Sequence, residues 1–345
     1  MTRCLLSFDS IGMENAWDIS TGSSSVMVGI LDSGIELNNA NLANRVDTTL
    51  SRSFLTGATN GVPGGLDDAC SFSGGHGTAV AGIIGANGTG VIGVNWDVKL
   101  VSLQILKYEY NVDECLTNWA HVINAINYAT GNNIPILNTS IRNVDVYSPS
   151  NHTAFTTAIN NYPGLFVAAA GNNGENLDSK PDYPAAYNLP NMITVGALND
   201  NYANPAPAGF SNYSPTKVHL FAPGTSIQLT YGEYGATSYY SAGGTSYAAP
   251  FVAGVAALIK AYRNMHTPQI KAIILNNVMP KSSLNGMCAT EGILNAHQAL
   301  TLTQACVSQL DACNATHDPV EYLTMCQNEC WEQAPSYCYP PIDYV

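Results

Sequence analysis

The chain has little charge and no long apolar run, and both shortages exclude broad classes of protein. Only 11% of its 345 residues are charged, against about 25% in an average soluble protein. Twelve Lys and Arg against 25 Asp and Glu leave a net charge of −13, which argues against a nucleic-acid partner. The longest apolar segment, 248–259, is shorter than the ~18 residues that a membrane span needs. We therefore expect neither a nucleic-acid partner nor a membrane span, and we interpret 248–259 as a buried helix.

Two common hydrolase signatures are missing as well. The sequence has no Gly-x-Ser-x-Gly elbow and no His-Glu-x-x-His zinc helix. It also lacks internal repeats and low-complexity tracts, and no set of histidines shows the spacing of metal ligands. Because 46% of the residues are hydrophobic, the chain is long and apolar enough to fold as one large domain or two ordinary ones.

The nine cysteines are unevenly distributed along the chain. Their density predicts disulfides and an oxidising, secreted or cell-surface location, although residues 1–6 are too short and too soon polar for a secretory signal. An odd number leaves at least one thiol unpaired or bonded to another molecule. Four cysteines are scattered and five lie in the last forty residues: Cys4, Cys70, Cys115 and Cys288, then Cys306, Cys313, Cys326, Cys330 and Cys338.

The five late cysteines predict a separate tail, 301–345, after a main domain at 1–300. Cys306 and Cys313 are seven residues apart, and Cys326 and Cys330 are four apart, so each pair lies on one face of a helix. This pattern favours a disulfide-stapled helical hairpin, although axial rises of about 10.5 Å and 6 Å match poorly. A zinc site that uses His317 is the alternative. The tail is also a candidate for an intermolecular disulfide or a partner contact.

Continuous apolar runs alternate with helix-like segments over most of the chain. Such runs suit strands that are buried on both faces of a parallel sheet. We predict one helix that begins at a Thr117 cap and ends at Gly131, and another that opens at Thr267 with proline in its first position. The alternation indicates an α/β fold with a mostly parallel sheet. The predicted strands are 26–31, 100–105, 134–137, 165–170, 192–195 and 218–221.

Three glycine-marked segments carry an acid, a base and a hydroxyl. Asp32 ends an apolar strand, while His76 and Ser246 each begin a helix of small residues. Taken singly, each has an ordinary structural interpretation as a turn or helix cap. Taken together, they supply what nucleophilic acyl transfer needs, since a serine is activated by a histidine that a carboxylate orients. Free N–H groups at a helix start also stabilise developing negative charge.

In these segments, 28–34, 74–82 and 243–254, the sequence closely resembles the subtilisin-like serine proteases (subtilases), and the resemblance covers about residues 8–300. It implies a three-layer α/β fold with helices on both faces of the sheet. It implies that Asp32 orients His76, that His76 is general base and then acid, and that Ser246 is the nucleophile. Segment 166–174 resembles the oxyanion-hole segment of the family, with Asn172 as side-chain donor and the Ser246 N–H as second donor. The implied function is a serine endopeptidase that needs no cofactor for its chemistry.

The resemblance also places substrate-binding residues. Segment 138–143 is similar to the strand that pairs with substrate, so Ser140 and Ile141 are expected to line the primary specificity pocket. Relatives usually carry glycine where this chain has Arg142, which either narrows the cleft or turns out into solvent. Gly171 is expected to contact substrate as well.

Two acids raise the question of specificity. Asp145 and Asp182 lie near positions that resemble the acidic pocket residues of the kexin- and furin-like branch. The hypothesis that follows is a preference for Lys or Arg before the cleaved bond, with Glu109 in a neighbouring loop. The alternative is that these acids belong only to the general acidity of a chain at −13.

This chain departs from the usual pattern of the family in two accessory features. Relatives often have an acid nine residues after the catalytic aspartate and a longer loop after the histidine helix, where this chain has Asn41 and a short loop at 86–90. Losing oxygen ligands weakens a calcium site, so structural calcium stays an open question. Subtilases usually mature from a precursor, and the resemblance begins near residue 8, so we expect this chain to lack the propeptide. A propeptide-type inhibitor is an expected partner, beside protein or peptide substrates.

The main alternative function is a catalytically silent subtilase-fold protein for binding or adhesion, with the Cys-rich tail as its interaction module. The presence of Asp32, His76, Ser246 and Asn172 argues against it, because a silent relative has no catalytic need for all four. An esterase with the same triad is a third, weaker hypothesis.

Overall fold

The computed structural model describes residues 4–65, 70, 75–109, 111, 114–141, 149–201, 203–233 and 236–314. Its helices are α1 (Cys4–Asp9), α2 (Met13–Trp17), α3 (His76–Gly85), α4 (Trp119–Gly131), α5 (Pro149–Asn161), α6 (Thr245–Tyr262), α7 (Thr267–Asn276) and α8 (Ala296–Asn314). Its strands are β1 (Met27–Asp32), β2 (Arg52–Ser53), β3 (Val62–Pro63), β4 (Lys99–Gln104), β5 (Lys107–Glu109), β6 (Glu114–Leu116), β7 (Ile136–Thr139), β8 (Leu165–Ala169), β9 (Met192–Leu198), β10 (Leu220–Pro223), β11 (Ile227–Glu233), β12 (Ala236–Ala242), β13 (Met279–Pro280) and β14 (Gly292–Ile293).

Ten of the strands form one sheet, in the order β13-β14-β10-β9-β8-β7-β1-β4-β2-β3. The interior pairs are all parallel, and only the edge pairs β13–β14 and β2–β3 are antiparallel. Strands β2, β3 and β4 all lie on one side of β1, and the next strand of the sheet along the chain, β7, lies on its other side. Ligands of such sheets bind beyond the carboxyl ends of the strands where this reversal occurs. The predicted mostly parallel sheet is confirmed.

The side chains of the central strands divide between two apolar clusters. In β8, Val167 packs with α3 and α6 on one face of the sheet, whereas Phe166 and Ala168 pack with α4 and α5 on the other. Successive residues of a strand point to opposite faces, so helices on both sides explain why these strands are apolar throughout. The structure is therefore the predicted three-layer α/β fold.

Helix α6 lies at the centre of the first cluster, against β7, β8, β9 and β10. From Ala248 to Ile259 every one of its residues is buried, and Gly254 packs directly on Val94. A helix that is apolar on all sides belongs inside a protein. The interpretation of 248–259 as a buried helix is confirmed. Among the described residues, no helix is both long and apolar enough to cross a bilayer.

Several predicted boundaries were wrong by one or two residues. Helix α4 is capped by Asn118 rather than Thr117, because the extended Asn118 accepts a hydrogen bond from the N–H of His121 at 3.0 Å. Helix α7 begins at Thr267 as predicted, with His266 as its cap, but its proline occupies the second helical position rather than the first. The short antiparallel pairs β5–β6 and β11–β12 were not predicted.

One disulfide joins Cys70 to Cys115 across 45 residues, with a Cα–Cα distance of 6.1 Å. It confirms that the chain forms disulfides. Cys288 is a buried free thiol. With Cys70 and Cys115 bonded and Cys288 free, six cysteines remain, one near the start and five after residue 300, and their side chains lie outside the described residues.

Most of the predicted tail lies outside the described residues. The backbone of Cys306 and Cys313 belongs to α8, but their side chains, together with all of 315–345, are not described. This includes His317, Cys326, Cys330 and Cys338, so the stapled hairpin and its zinc alternative stay predictions. Helix α8 runs from 296 to 314 and therefore passes through the predicted boundary at residue 300.

Ion pairs tether several basic side chains that lie outside helices and strands. They are partly exposed, so water screens each pair and its contribution to stability is small. Their role is to hold turns in place. The pairs are Arg45–Asp97 at 3.0 Å, Lys180–Glu175 at 2.6 Å and Lys217–Asp178 at 3.8 Å.

Candidate active site

Asp32 is the last residue of β1, and its carboxylate is completely buried. Its Oδ1 accepts a hydrogen bond from His76 Nδ1 at 2.8 Å and two more from the N–H and hydroxyl of Ser33, at 2.8 and 3.1 Å. A carboxylate that is excluded from water needs such partners. The carboxylate of Asp32 and the ring of His76 are thus hydrogen-bonded to each other.

His76 is the first residue of α3, and Gly77 explains how this helix starts so close to β1. A Cβ at Gly77 would overlap the carbonyl oxygen of Gly34 and lie 3.2 Å from Asp32 Oδ1. The Gly77 N–H instead donates to Ser33 Oγ at 3.0 Å. Only a residue without a side chain permits this close approach.

Ser246 is the second residue of α6 and is half-buried. Its carbonyl oxygen accepts a hydrogen bond from Ser140 Oγ at 2.9 Å, and its own hydroxyl lies 3.5 Å from the Ser140 carbonyl oxygen. The first N–H groups of a helix have no acceptors within that helix. The serine hydroxyl therefore lies beside a group of donors and at the positive end of the α6 dipole.

Asn172 follows β8 and is fixed by one end of its amide. Its Oδ1 accepts hydrogen bonds from both the N–H and the hydroxyl of Thr245, each at 2.9 Å. Because a backbone N–H can only donate, these bonds identify the oxygen end of the amide. The Nδ2 end lies next to Gly244, at the entrance of α6. An amide donor is thus positioned beside the start of the Ser246 helix.

These side chains share one open pocket of about 250 Å³. It combines the histidine, the serine and the asparagine with the predicted substrate-pairing residues Ser140 and Ile141 and with Gly171. Asp32 lies behind it, bonded to the histidine. The lining residues are His76, Leu106, Cys115, Ser140, Ile141, Ala169, Gly171, Asn172, Thr245 and Ser246.

Asp182 is buried directly behind the Gly171 wall of this pocket. Gly171 has a φ of +99°, and a Cβ there would lie 2.8 Å from Asp182 Oδ2. This left-handed backbone favours glycine, and the missing side chain leaves the carboxylate close to the pocket. Glu109 is bonded to Lys107 at 2.6 Å, while Arg142 and Asp145 lie outside the described residues.

A sequence model of the subtilase family matches residues 23–303 of the chain. The chain belongs to the subtilase family. Subtilases are serine endopeptidases, so the close approach of Asp32 and His76, and the pocket that holds His76, Ser246 and Asn172, occur in a family that hydrolyses peptide bonds.

Three relatives show the extent of the match. The chain is 32% identical to Subtilisin DY of Bacillus licheniformis over 253 residues, 71% of this chain and 81% of that protein. It is 29% identical to Subtilisin-like protease 2 of Plasmodium falciparum over 81% of this chain but only 20% of that protein. Among solved structures, a protease of Pseudoalteromonas arctica PAMC 21717 superposes with a TM-score of 0.68 at 28% identity, covering 85% of this chain and 94% of that one.

Several pocket neighbours in this subtilase were not predicted as site residues, and Ala169 and Thr245 are two of them. Leu106 and Cys115 line the pocket beside His76. The ring of Tyr247, which follows the serine, lies 5.8 Å from the His76 ring, and its hydroxyl is 3.3 Å from that of Tyr240. Tyr247 lies within the segment that carries the serine, so its position in the motif was an available signal. For Cys115 the sequence offers no comparable signal.

The position nearest to a family calcium site is occupied by a network of amides and hydroxyls. Asn41 Oδ1 accepts from the N–H groups of Gly90 and Val91 at 2.9 and 3.1 Å. Its Nδ2 donates to Thr230 Oγ1 at 2.9 Å and to Tyr239 OH at 3.2 Å. Within the described part of the chain, no three His, Cys, Asp or Glu residues are grouped as metal ligands.

His219 is buried in the core and has a structural role there. Burial lowers its pKa to about 3, so the ring is neutral at neutral pH. Its Nδ1 accepts a hydrogen bond from the N–H of Thr194 at 3.0 Å. The ring therefore stabilises the pairing of neighbouring strands in this subtilase.

Proposed function

We propose that the chain is a serine endopeptidase in which Asp32, His76 and Ser246 act as the catalytic triad. The observation that carries the proposal is the single pocket that holds His76, Ser246 and Asn172, with His76 bonded to the buried Asp32 at 2.8 Å. Unrelated structural roles for the four side chains would not require them to meet at one cavity.

The triad would work through the proton positions that the hydrogen bonds impose. Because the Asp32 carboxylate can only accept, His76 Nδ1 carries the proton and Nε2 is the basic atom. Nε2 takes the Ser246 hydroxyl proton as Oγ attacks the peptide carbonyl carbon, and then gives it to the leaving amine. The acyl-enzyme is hydrolysed by a water that His76 activates in the same way. Asp32 stabilises the imidazolium that forms in each half of the reaction.

The oxyanion of each tetrahedral intermediate would lie between Asn172 Nδ2 and the N–H of Ser246. The Thr245 hydrogen bonds hold the amide oxygen of Asn172, so its donor end is oriented before substrate binds. Donors that are fixed in advance stabilise developing charge without reorganisation.

A serine-directed fluorophosphonate tests this proposal. We expect the folded protein to be labelled at Ser246, because a base-activated hydroxyl attacks phosphorus as it attacks a carbonyl carbon. Ser246→Ala should be unlabelled, which mass spectrometry of the labelled peptide would show. If the folded wild-type protein stays unlabelled, the endopeptidase proposal fails and the silent binding or adhesion protein becomes the better hypothesis. A panel of matched peptides and esters separates the peptidase from an esterase.

We further propose that substrates with Lys or Arg before the cleaved bond are preferred. The support is the buried Asp182 carboxylate, whose Oδ2 lies immediately behind Gly171 in the pocket wall. A long cationic side chain that enters past Gly171 would approach this carboxylate in a site of low water content, where charge pairing is strong. Asp145, beyond the described residues, stays a predicted contributor.

The residues around Asn41 do not fit a calcium ion, and we propose that this region is stable without one. Calcium takes oxygen ligands with carboxylates among them, whereas Asn41 turns its NH₂ group toward the hydroxyls of Thr230 and Tyr239. The amide performs the cross-linking that a cation would otherwise provide, between the loop at 86–91 and the β11–β12 pair.

We expect a calcium chelator to leave the melting temperature unchanged. Asn41→Ala should lower it, because each buried N–H or hydroxyl left unpaired costs about 1–3 kcal/mol. The exposed Asn38→Ala is the matched control and should have little effect. Thermal unfolding with and without chelator provides the measurement. A melting temperature that falls on chelation and returns with added Ca²⁺ would contradict the proposal.

The remaining proposals concern location and partners. We propose an extracytoplasmic protein, supported by the Cys70–Cys115 disulfide, since such bonds persist in oxidising compartments. Its substrates would be proteins or peptides, and a propeptide-type inhibitor would occupy the same pocket. The division into a peptidase domain at 1–300 and a tail at 301–345 belongs with these proposals.

A further inference from the structure

The loop that carries Asn172 is wrapped around the side chain of Asn212, which lies between β9 and β10 and is only 1% exposed. Its Oδ1 accepts hydrogen bonds from the N–H groups of Asn173 and Glu175, at 3.1 and 3.0 Å, and its Nδ2 donates to the carbonyl oxygen of Ala170 at 2.9 Å. Because a backbone N–H can only donate, these bonds identify the two ends of the amide. One buried amide thus bonds backbone groups on both sides of Asn172.

The backbone of the loop explains why a side chain serves as the acceptor. Gly171 and Gly174 have φ of +99° and +67°, so the chain bends sharply between them and does not continue as a strand. The N–H groups at such a bend have no regular ladder to join and need another acceptor. A Cβ at Gly171 would lie 2.4 Å from Asn212 Nδ2, so the glycine also makes room for this amide. The shape of the loop and the position of the Asn212 amide therefore depend on each other.

Asn172 is held at two places by two different residues. Thr245 bonds the amide oxygen of Asn172 and so sets the direction of its side chain. Asn212 holds the backbone from which that side chain extends, and its own N–H adds a bond to the carbonyl oxygen of Gly171 at 2.9 Å. A catalytic group works only within about 0.5 Å of its productive position, so a donor for a developing charge needs both its direction and its origin fixed.

We propose that Asn212 is a positioning residue for the oxyanion hole, which holds Asn172 where its Nδ2 can donate to the oxyanion. This inference rests on the proposed endopeptidase function. The described residues that line the pocket include Gly171 and Asn172 but not Asn212. Asn212 therefore acts through the loop at 170–175 and not by contact with substrate.

We expect Asn212→Ala to lower kcat for a fluorogenic peptide by about 10–10²-fold, since a shift of about 1 Å in a catalytic group can cost up to a hundredfold. KM should change by less than about threefold, because a bond made only to the oxyanion stabilises the transition state and not the bound substrate. Asn212→Ser keeps a hydroxyl that can accept from one N–H, so it should lose less activity. The serine variant replaces the alanine variant if the latter does not fold.

Asn191→Ala is the matched control. The amide of Asn191 also bonds a loop backbone, through the carbonyl oxygens of Ile159 and Tyr162, each at 2.7 Å. Asn191 directly precedes β9 and so lies at the end of the sheet away from the pocket. Both alanine variants should unfold at a lower temperature than the wild type, because each leaves backbone groups unpaired. Only Asn212→Ala should lower kcat.

A double-mutant cycle with Asn172 tests whether Asn212 acts through it. Asn172→Ala alone should lower kcat by about 10²–10³-fold, a loss known for one oxyanion-hole donor of subtilisin and carried over from that member of the family. Adding Asn212→Ala should then lower kcat by less than about threefold, because the donor that it positions is already absent. Two independent losses would instead multiply.

Two results would overturn the proposal. One is a folded Asn212→Ala or Asn212→Ser variant whose kcat stays within about twofold of the wild type. The other is a loss from Asn212→Ala that is as large in the Asn172→Ala background as in the wild type, which would mean that Asn212 supports the fold in general. Failure of the proposed function looks different, because the wild-type protein would then not hydrolyse the peptide and would stay unlabelled by the fluorophosphonate.

Discussion

Replacing Ser246 with alanine is expected to abolish peptide hydrolysis, with a loss in kcat of about 10⁶-fold. This magnitude is known for the nucleophile of subtilisin, which belongs to the same family, and it is carried over rather than calculated for this chain. The physical reason is that the described pocket has only two other hydroxyls, those of Ser140 and Thr245, and both are engaged in hydrogen bonds. The Thr245 hydroxyl is bonded to Asn172 and that of Ser140 to the Ser246 carbonyl oxygen.

The measurement is single-turnover and steady-state hydrolysis of a fluorogenic peptide, with active-site titration to exclude wild-type carry-over. Ser241→Ala, an exposed serine in β12, is the matched control and should retain full activity. Thermal unfolding of both variants should resemble that of the wild type, because among the described residues the half-buried Ser246 hydroxyl makes a single long hydrogen bond, at 3.5 Å. Hydrolysis by purified Ser246→Ala within about a hundredfold of the wild type would mean that another group is the nucleophile.

Replacing Asp182 with asparagine is expected to lower kcat/KM for substrates with Arg or Lys before the cleaved bond by about 10²–10³-fold. Asparagine has nearly the same shape, so the change removes the charge and leaves the packing behind Gly171 intact. Losing one partner of a buried charge pair costs about 2–5 kcal/mol, which corresponds to this range. The kcat/KM for substrates with Phe or Leu at the same position should change little. The preference for basic over apolar residues should therefore narrow or reverse.

The measurement is kcat/KM for peptides that differ only in that residue, at two ionic strengths. Asp97→Asn is the matched control, since it removes the same charge from an exposed side chain. Asp97→Asn should reduce the preference for Lys and Arg substrates only slightly and only at low salt, because salt screens exposed charges. If the wild-type protein cleaves Phe and Leu peptides and leaves Lys and Arg peptides untouched, basic specificity is wrong.

The fold and the central residues of the site could be predicted because, at these positions, the local sequence pattern reflects the contacts that the residues make in the folded protein. The apolar run predicted at 165–170 forms a strand, β8 at Leu165–Ala169, because both of its faces are covered by helices. Gly77 follows His76 because α3 must start against Asp32, so the glycine in the sequence already reports the contact. In motifs of this kind, adjacent residues of the sequence indicate a close contact between distant segments of the folded chain.

Other parts of the site depend on contacts between segments that are far apart in the sequence, and no local sequence pattern indicates those contacts. The Cys70–Cys115 bond joins positions 45 apart, and bridging depends on Cα separation and direction, which spacing along the chain does not give. Leu106 and Gly171 meet in one pocket only because of the order of the strands between them. The β11–β12 pair could have been found, since Ile227 and Leu229 alternate with polar residues as in a half-buried strand.

An endopeptidase is itself a polypeptide, and its copies are substrates for one another. A peptide enters a protease cleft in extended form, so a bond inside a helix or strand is cleaved only after that element opens. Of the ten Lys and Arg residues in the described part of the chain, five lie in β2, β4, β5, α6 and α7. Three more are held across turns by the ion pairs to Asp97, Glu175 and Asp178. With a preference for basic residues, cleavage after any of these eight would first require local opening of the molecule.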